Sequence, residues 1–102
     1  MPGCANHIYN RRVHFVYIVR CADGTLYTGY ARDPREREKA HNTGLGAKYT
    51  SGRRPVRLVY SELCESRGEA LSRERELKSW SRARKEALVA TAFEPSESDG
   101  GP

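Results

Sequence analysis

Cysteine is scarce in this chain and too widely spaced to suggest a cross-linked or metal-bound framework. Cys4, Cys21 and Cys64 are odd in number and form no CxxC pair, which argues against a disulfide scaffold and a zinc knuckle. Long apolar runs are also lacking, so the sequence predicts no membrane-spanning helix, and its N-terminus does not resemble a signal peptide. We therefore expect a protein of a reducing intracellular compartment, the cytoplasm or the nucleus.

Acidic residues are outnumbered by basic ones. The chain carries 18 Lys and Arg against 13 Asp and Glu, a net charge of +5. Three of the acids fall in the last nine residues, so residues 1–93 carry 18 basic and 10 acidic residues, a net charge of +8. Such a surface suits a polyanion, because basic side chains that neutralise phosphates release counterions. Charge alone equally fits a basic surface that serves only solubility.

Apolar residues are few, which limits the chain to one modest core. They make up 37% of 102 residues, so a shallow surface site is expected rather than a deep cavity. Residues 1–12 show no periodicity, and residues 94–102 are all polar, Gly or Pro. We expect a flexible N-terminal tail at 1–12, one domain at 13–93 and a disordered acidic tail at 94–102.

The pattern of strands predicts an α+β domain of order ββαβαα, with a small three-stranded mixed or antiparallel sheet flanked by helices. Residues 13–21 are rich in β-branched and aromatic side chains, which predicts a central strand buried on both faces. An Asp-Gly turn separates this strand from a second one at 25–30. A loop rich in Gly, Ser and Thr at 43–55 precedes the third predicted strand, at 56–62.

Capping residues predict where the helices begin. Asp33-Pro34 supplies an N-cap acid followed by proline, and the helix should run to about Asn42. Ser66 caps a second predicted helix that runs to about Trp80. A final helix is predicted at 82–92.

Glu74 lies on the apolar face of the second predicted helix. At about 100° per residue, Ala70 and Leu77 share its face, whereas Glu69 and Glu76 point away. A buried carboxylate is costly unless it pairs with a cation, accepts hydrogen bonds or binds a metal. An ion pair with a Lys or Arg residue is the ordinary solution, and a metal site is the other.

Arg37 and His41 are four residues apart on the first predicted helix, so they share a face and can converge on one anion. Arginine offers a planar fork to phosphate oxygens, and neutral histidine can accept or relay a proton. The same pattern fits a solvated basic stripe on the helix surface.

Tyr17 and Tyr27 lie on the two strands of the predicted hairpin. A three-residue loop would place both side chains on one face of the sheet, whereas a two-residue loop would separate them. We predict that they share a face. Tyrosines in strands are also ordinary packing residues, so the pair alone does not define a site.

The ordered set of these residues resembles the GIY-YIG nucleases. Val16-Tyr17-Ile18 and Tyr27-Thr28-Gly29, with ten residues from tyrosine to tyrosine, are similar to the two tripeptides that name the family. Arg37 follows Gly29 by eight residues and His41 follows by four more, as in the family, and Glu74 corresponds to its metal-binding glutamate.

The resemblance is closest to the single-domain YhbQ-like (UPF0213) group and spans about residues 13–92. Residues 46–50 and 52–60, GAKYT and GRRPVRLVY, carry the resemblance to that group. Val16 and Thr28 stand where the family motifs have isoleucine, and the asparagine that some members carry after the glutamate has no evident counterpart. We expect no appended DNA-recognition domain.

By resemblance, the chain is expected to be a metal-dependent endonuclease that hydrolyses phosphodiester bonds, in DNA in preference to RNA, acting on branched or damaged substrates in repair or recombination. Glu74 would hold one Mg²⁺ or Mn²⁺ ion, and Arg37 would neutralise charge on the phosphoryl oxygens. Tyr17 would act as or assist the base, with Tyr27 and His41 orienting it; alternatively His41 would take the proton. The expected phosphate-backbone contacts are Lys48, Arg53, Arg54 and Arg57.

Two other functions remain open at this point. One is a nucleic-acid-binding module without catalysis, and the other is an interaction domain whose basic surface meets an acidic protein. We expect a monomer or a weak homodimer that does not bind membranes.

Overall fold

The computed structural model describes residues 14–100, with side chains described through Thr91. A three-stranded sheet and two long helices account for most of this region, which confirms the predicted α+β class. In chain order the elements are β1 (His14–Arg20), β2 (Leu26–Ala31), α1 (Pro34–Asn42), α2 (Lys48–Ser51), β3 (Arg57–Cys64), α3 (Arg67–Lys78) and α4 (Arg82–Gly100).

The sheet is antiparallel throughout, in the order β2-β1-β3. β1 is therefore the central strand, and residues 16–19 are buried, as the apolar side chains on both of its faces predicted. Cys21 and Thr25 close the β1–β2 turn through a backbone hydrogen bond of 2.8 Å, which leaves a three-residue loop. Gly24 takes the left-handed conformation in that loop, with φ +89°.

Helix starts follow the predicted caps. The Asp33 carboxylate accepts from the amides of Arg35 and Glu36 at 3.1 and 3.3 Å, and Pro34 is the first helical residue. Ser66 Oγ accepts from the Glu69 amide at 3.1 Å at the start of α3. Local sequence thus fixes both helix starts.

α1 is fastened to β3 by side chains that bond the strand's backbone. The Asn42 amide group pairs with both backbone groups of Val56, at 3.0 Å to its oxygen and 2.6 Å from its nitrogen. Glu38 accepts from the Leu58 amide at 2.8 Å. These bonds satisfy backbone groups at the start of an edge strand and set the distance between α1 and the sheet.

The core has two parts. One packs residues of β1 and β2 against Val56, and the other lies between the sheet and α3. The first part contains Tyr17, Val19, Cys21, Ala31 and Val56, with Tyr27 and Leu58 against it. The second contains Val16, Cys64, Ala70 and Leu77, with Tyr30, Trp80 and Leu88 against it.

Two helices depart from the boundaries that the sequence predicted. The loop predicted at 43–55 contains α2, which at four residues is too short for a period to show in the sequence. α4 runs to Gly100, beyond the predicted end near Ala92, so it overlaps the segment predicted as an acidic tail.

The division into tails and a domain stays a prediction, and residues 1–12 lie outside the described residues. Within the described part of the chain, no helix has the length and apolar character needed to cross a membrane.

Thr28 carries a buried hydroxyl without a hydrogen-bond partner among the described residues. We predict that Thr28→Val, which keeps the shape and removes the hydroxyl, raises the free energy of unfolding by about 1 kcal/mol, since a buried unsatisfied polar group costs about that much. Urea unfolding of both proteins measures the change. Thr28→Ser keeps the hydroxyl and loses a methyl group, so it should lower stability; a destabilised Thr28→Val would contradict the prediction.

Candidate active site

A hydrogen bond between Tyr17 on β1 and His41 on α1 lies at the centre of the site. Tyr17 Oη and His41 Nε2 are 2.8 Å apart. Both side chains are almost fully buried, at 1% and 0% exposure. Because buried polar groups require partners, this bond ties the central strand to the first helix.

The hairpin brings Tyr27 to the same place. Tyr17 is paired with Gly29 and Val19 with Tyr27, so the two tyrosines project from one face of the sheet, as predicted. Their ring centroids are 6.5 Å apart, and the Tyr27 ring meets His41 edge-on at 5.4 Å. The three-residue loop produces this register.

Two glycines make room for the bonded pair. A Cβ atom on Gly29 would lie 2.6 Å from Tyr17 Oη, and one on Gly46 would lie 2.0 Å from His41 Nδ1. Both distances are far below van der Waals contact. The glycine of the Tyr27-Thr28-Gly29 motif is therefore required by the packing of Tyr17.

The second ring nitrogen of His41 is also bonded. Thr50 Oγ1 lies 2.8 Å from Nδ1, and the Ala47 amide donates to Nδ1 at 3.3 Å. Thr50 is fully buried. The segment between α1 and β3 thus surrounds the far side of the imidazole.

Burial and charge act in opposite directions on Tyr17. Burial raises the pKa of Tyr17 to about 12, while a hydrogen bond from the Arg37 guanidinium and its charge lower that pKa. The charges of Tyr27 and Glu74 add to the increase. Burial, assisted by the Arg37 charge, lowers the pKa of His41 below its ordinary value, so His41 is neutral at pH 7.

Arg37 has a donor with no protein partner. Its Nε atom is buried and makes no hydrogen bond to any of the described residues. A buried donor of this kind is expected to be satisfied by a ligand or by water.

Glu74 is mostly withdrawn from solvent, as its place on the apolar face of α3 predicted. Its side chain is 19% exposed, and Oε2 lies 3.1 Å from Lys78 Nζ, one turn along the helix. The carboxylate of Glu74 is therefore stabilised by an ion pair, the ordinary way of compensating a partly buried charge. The negative charge of Glu74 also adds to the increase in the pKa of Tyr17.

Lys78 was not singled out from the sequence, although it stands four residues after Glu74 and could have been found by that spacing. Its ammonium also lies over the Tyr27 ring, 5.5 Å from the centroid. Lys78 thus joins the carboxylate on α3 to the tyrosine on β2.

The basic residues predicted to contact phosphates divide into two kinds. Arg53 pairs with Asp23 at 3.0 Å and covers the Tyr49 ring at 4.0 Å. Arg54 donates to two carbonyl oxygens, at 2.9 and 3.2 Å. Both arginines therefore have structural partners, whereas Lys48 and Arg57 are exposed.

Tyr49 extends the aromatic group. Its ring stacks on Tyr27 with centroids 5.7 Å apart and is 40% exposed. The sequence alone did not predict this contact, because residues 49 and 27 belong to segments that only the fold brings together.

A metal site here would depend on Glu74. Among the described residues no three His, Cys, Asp or Glu side chains cluster as ligands. A single carboxylate suits a hard divalent cation that keeps most of its water ligands, and does not suit zinc. The donor set is therefore compatible with Mg²⁺ or Mn²⁺.

Comparison with known proteins identifies the family of this chain. Residues 13–87 match the model of the GIY-YIG catalytic domain. A UPF0213 protein of Staphylococcus aureus is 58% identical over 76 residues, which cover 74% of this chain and 93% of that protein.

Two solved structures are also similar to this chain. The solution NMR structure of a UPF0213 protein from Bacillus halodurans has 49% identity and a TM-score of 0.54, covering 82% of this chain and 89% of the other. The solution NMR structure of an E. faecalis protein has 40% identity and a TM-score of 0.54, covering 80% and 88%.

Gly46→Ala tests whether the close approach to His41 holds the site together. We expect it to lower the free energy of unfolding by about 1–3 kcal/mol, because the new methyl group overlaps the imidazole. Thermal unfolding and the NMR signals of the His41 ring measure this. Gly52→Ala, in the same connection, is the matched control: no atom lies within 4 Å of its Cβ, so the change should stay within roughly 0.5 kcal/mol. Equal effects of the two variants would contradict the packing argument.

Proposed function

Since this chain belongs to the family of GIY-YIG catalytic domains, we propose that it is a metal-dependent endonuclease that hydrolyses phosphodiester bonds in DNA, branched or damaged DNA in particular. The observation that carries the proposal is the buried hydrogen bond between Tyr17 and His41, at 2.8 Å. The charges of Arg37 and Glu74 act on the pKa of the same phenol in opposite directions, Arg37 lowering it and Glu74 raising it.

In this proposal Tyr17 acts as the phenolate, after losing its own proton to solvent, and removes a proton from the attacking water. The bond from the water oxygen to phosphorus forms as the bond from phosphorus to the 3′-oxygen breaks, and the leaving 3′-oxygen takes a proton from water. Arg37 would neutralise the negative charge that builds up on the phosphoryl oxygens through its guanidinium group. His41 and Tyr27 hold the phenol in place from two sides.

Glu74 would hold the divalent cation, whose charge would stabilise the phosphoryl group and the leaving oxygen when bound. Lys78 now occupies one oxygen of that carboxylate. Cation binding at Glu74 therefore competes with an ion pair within the protein. Lys48 and Arg57, whose side chains are exposed, would contact the phosphate backbone without reading sequence.

Cleavage of supercoiled plasmid and of branched DNA, with Mg²⁺ or Mn²⁺ against EDTA, tests the proposal. We expect metal-dependent cleavage that falls at least about 100-fold in Glu74→Gln and Tyr17→Phe, because each removes a group acting on the transition state. Glu76→Gln is the matched control: Glu76 lies on the same helix, is half exposed and pairs with Arg73.

Cleavage that survives Glu74→Gln or EDTA would remove the assigned site. The pairing of Glu74 with Lys78 favours the alternative, a nucleic-acid-binding module without catalysis. That function would be supported by DNA binding that weakens with salt and is accompanied by no cleavage.

The raised pKa of Tyr17 predicts how the rate depends on pH. The phenolate is the basic form, and its fraction rises tenfold for each pH unit below a pKa of about 12. kcat/KM, which reports the free enzyme, should therefore climb steadily from pH 7 to pH 10 in Mg²⁺. In Tyr17→Phe the residual rate should lose this slope. A plateau in the wild-type rate below pH 9 would show that another group is the base.

A further inference from the structure

We propose that Thr50 is a positioning residue which, with the Ala47 amide, keeps the proton of neutral His41 on Nε2, so that His41 donates to the Tyr17 oxygen and does not take its proton. The inference rests on the proposed function, because it assigns the direction of a hydrogen bond in that site. Both residues lie in the segment that carries α2, which no catalytic role has so far required.

The Ala47 amide determines which nitrogen of neutral His41 carries the proton, because the backbone fixes the direction of the amide N–H. It points at His41 Nδ1, with nitrogen to nitrogen 3.3 Å. If Nδ1 carried a proton, two N–H groups would face each other inside the protein, and the amide would lose its partner. Nδ1 is therefore the acceptor, and the neutral ring bears its proton on Nε2.

The Thr50 hydroxyl can rotate, and its surroundings direct it to the same nitrogen. Oγ1 lies 2.8 Å from His41 Nδ1 and is also within donating distance of the Ala47 carbonyl oxygen, at 2.9 Å. That carbonyl oxygen has a second donor in the Thr50 amide, at 3.1 Å. Because the Ala47 amide makes Nδ1 an acceptor, Nδ1 cannot donate to Oγ1, and the hydroxyl turns its proton to Nδ1, the nearer of its two acceptors.

The turn that holds these donors is itself anchored. Gly46 permits the chain to pass against the imidazole. Arg53 donates hydrogen bonds to the Tyr49 carbonyl oxygen at 2.8 Å and to the Asp23 carboxylate at 3.0 Å. These two bonds connect α2 to the β1–β2 turn. The backbone segment that carries both donors to Nδ1 is thus held in place by the rest of the fold.

This arrangement fixes the role of His41. Nε2–H donates to Tyr17 Oη at 2.8 Å. This donor favours the phenolate over the phenol, as the Arg37 guanidinium does by lowering the pKa of Tyr17, and it leaves the tyrosine's own proton directed elsewhere. Thr50 therefore corresponds in function to the third group of a catalytic triad, which orients a histidine without touching the substrate.

NMR of the imidazole nitrogens tests the tautomer directly in the whole chain. The chain has three histidines, and His41→Gln identifies the signals of His41. At pH 7.5 we expect Nδ1 to resonate in the unprotonated range, well downfield, and Nε2 in the protonated range. The reverse assignment would overturn the proposal.

Thr50→Val then tests whether the Thr50 hydroxyl positions His41. We expect a mixed tautomer of His41 and a kcat about tenfold lower at unchanged KM, with both restored in Thr50→Ser, which keeps the hydroxyl. Thr28→Val is the matched control, because it removes a buried hydroxyl that bonds no described residue, so tautomer and kcat should not change.

Two outcomes separate this inference from the proposed nuclease. If Thr50→Val lowers thermal stability alone, with tautomer and kcat unchanged, Thr50 is only structural and the inference is wrong. If no substrate is cleaved but the tautomer shifts as expected, Thr50 does position His41, and it is the nuclease proposal that fails.

Discussion

The buried hydrogen bond between Tyr17 and His41 is the constraint on which the rest of the structure depends. It joins the central strand to the first helix at 2.8 Å, with both side chains withdrawn from water. A polar pair in that position is tolerated only when every surrounding group is placed to suit it. The absence of side chains at Gly29 and Gly46 and the donors on His41 Nδ1 are direct consequences.

The protonation state of Tyr17 in this pair is set by opposing contributions from burial and from nearby charges. Burial holds Tyr17 protonated, and Arg37 opposes it. Glu74 adds negative charge and is itself neutralised by Lys78. Under the proposed function, a phosphate and a divalent cation would alter each of these contributions. That sensitivity is the physical basis for proposing chemistry at residues that otherwise resemble a well-packed core.

Much of the fold could be predicted because it depends on local chemistry. The Asp33 and Ser66 caps, the three-residue turn closed at Cys21 and the apolar central strand all act within a few residues. The placement of Glu74 on the apolar face of its helix also follows from a local period. Contacts such as Tyr49 on Tyr27 could not be predicted, because they join segments whose approach depends on the whole chain.

The sequence by itself determined which residues are available for chemistry and how strands and helices present them: two tyrosines on one face of a hairpin, Arg37 and His41 on one helix face, and a partly buried Glu74. The tertiary structure alone decided their states. It raised the pKa of Tyr17 by burial, paired Arg53 with Asp23 and placed the Ala47 amide and the Thr50 hydroxyl against His41 Nδ1. Protonation and pairing depend on solvent exclusion and on neighbours distant in sequence, which no local pattern records.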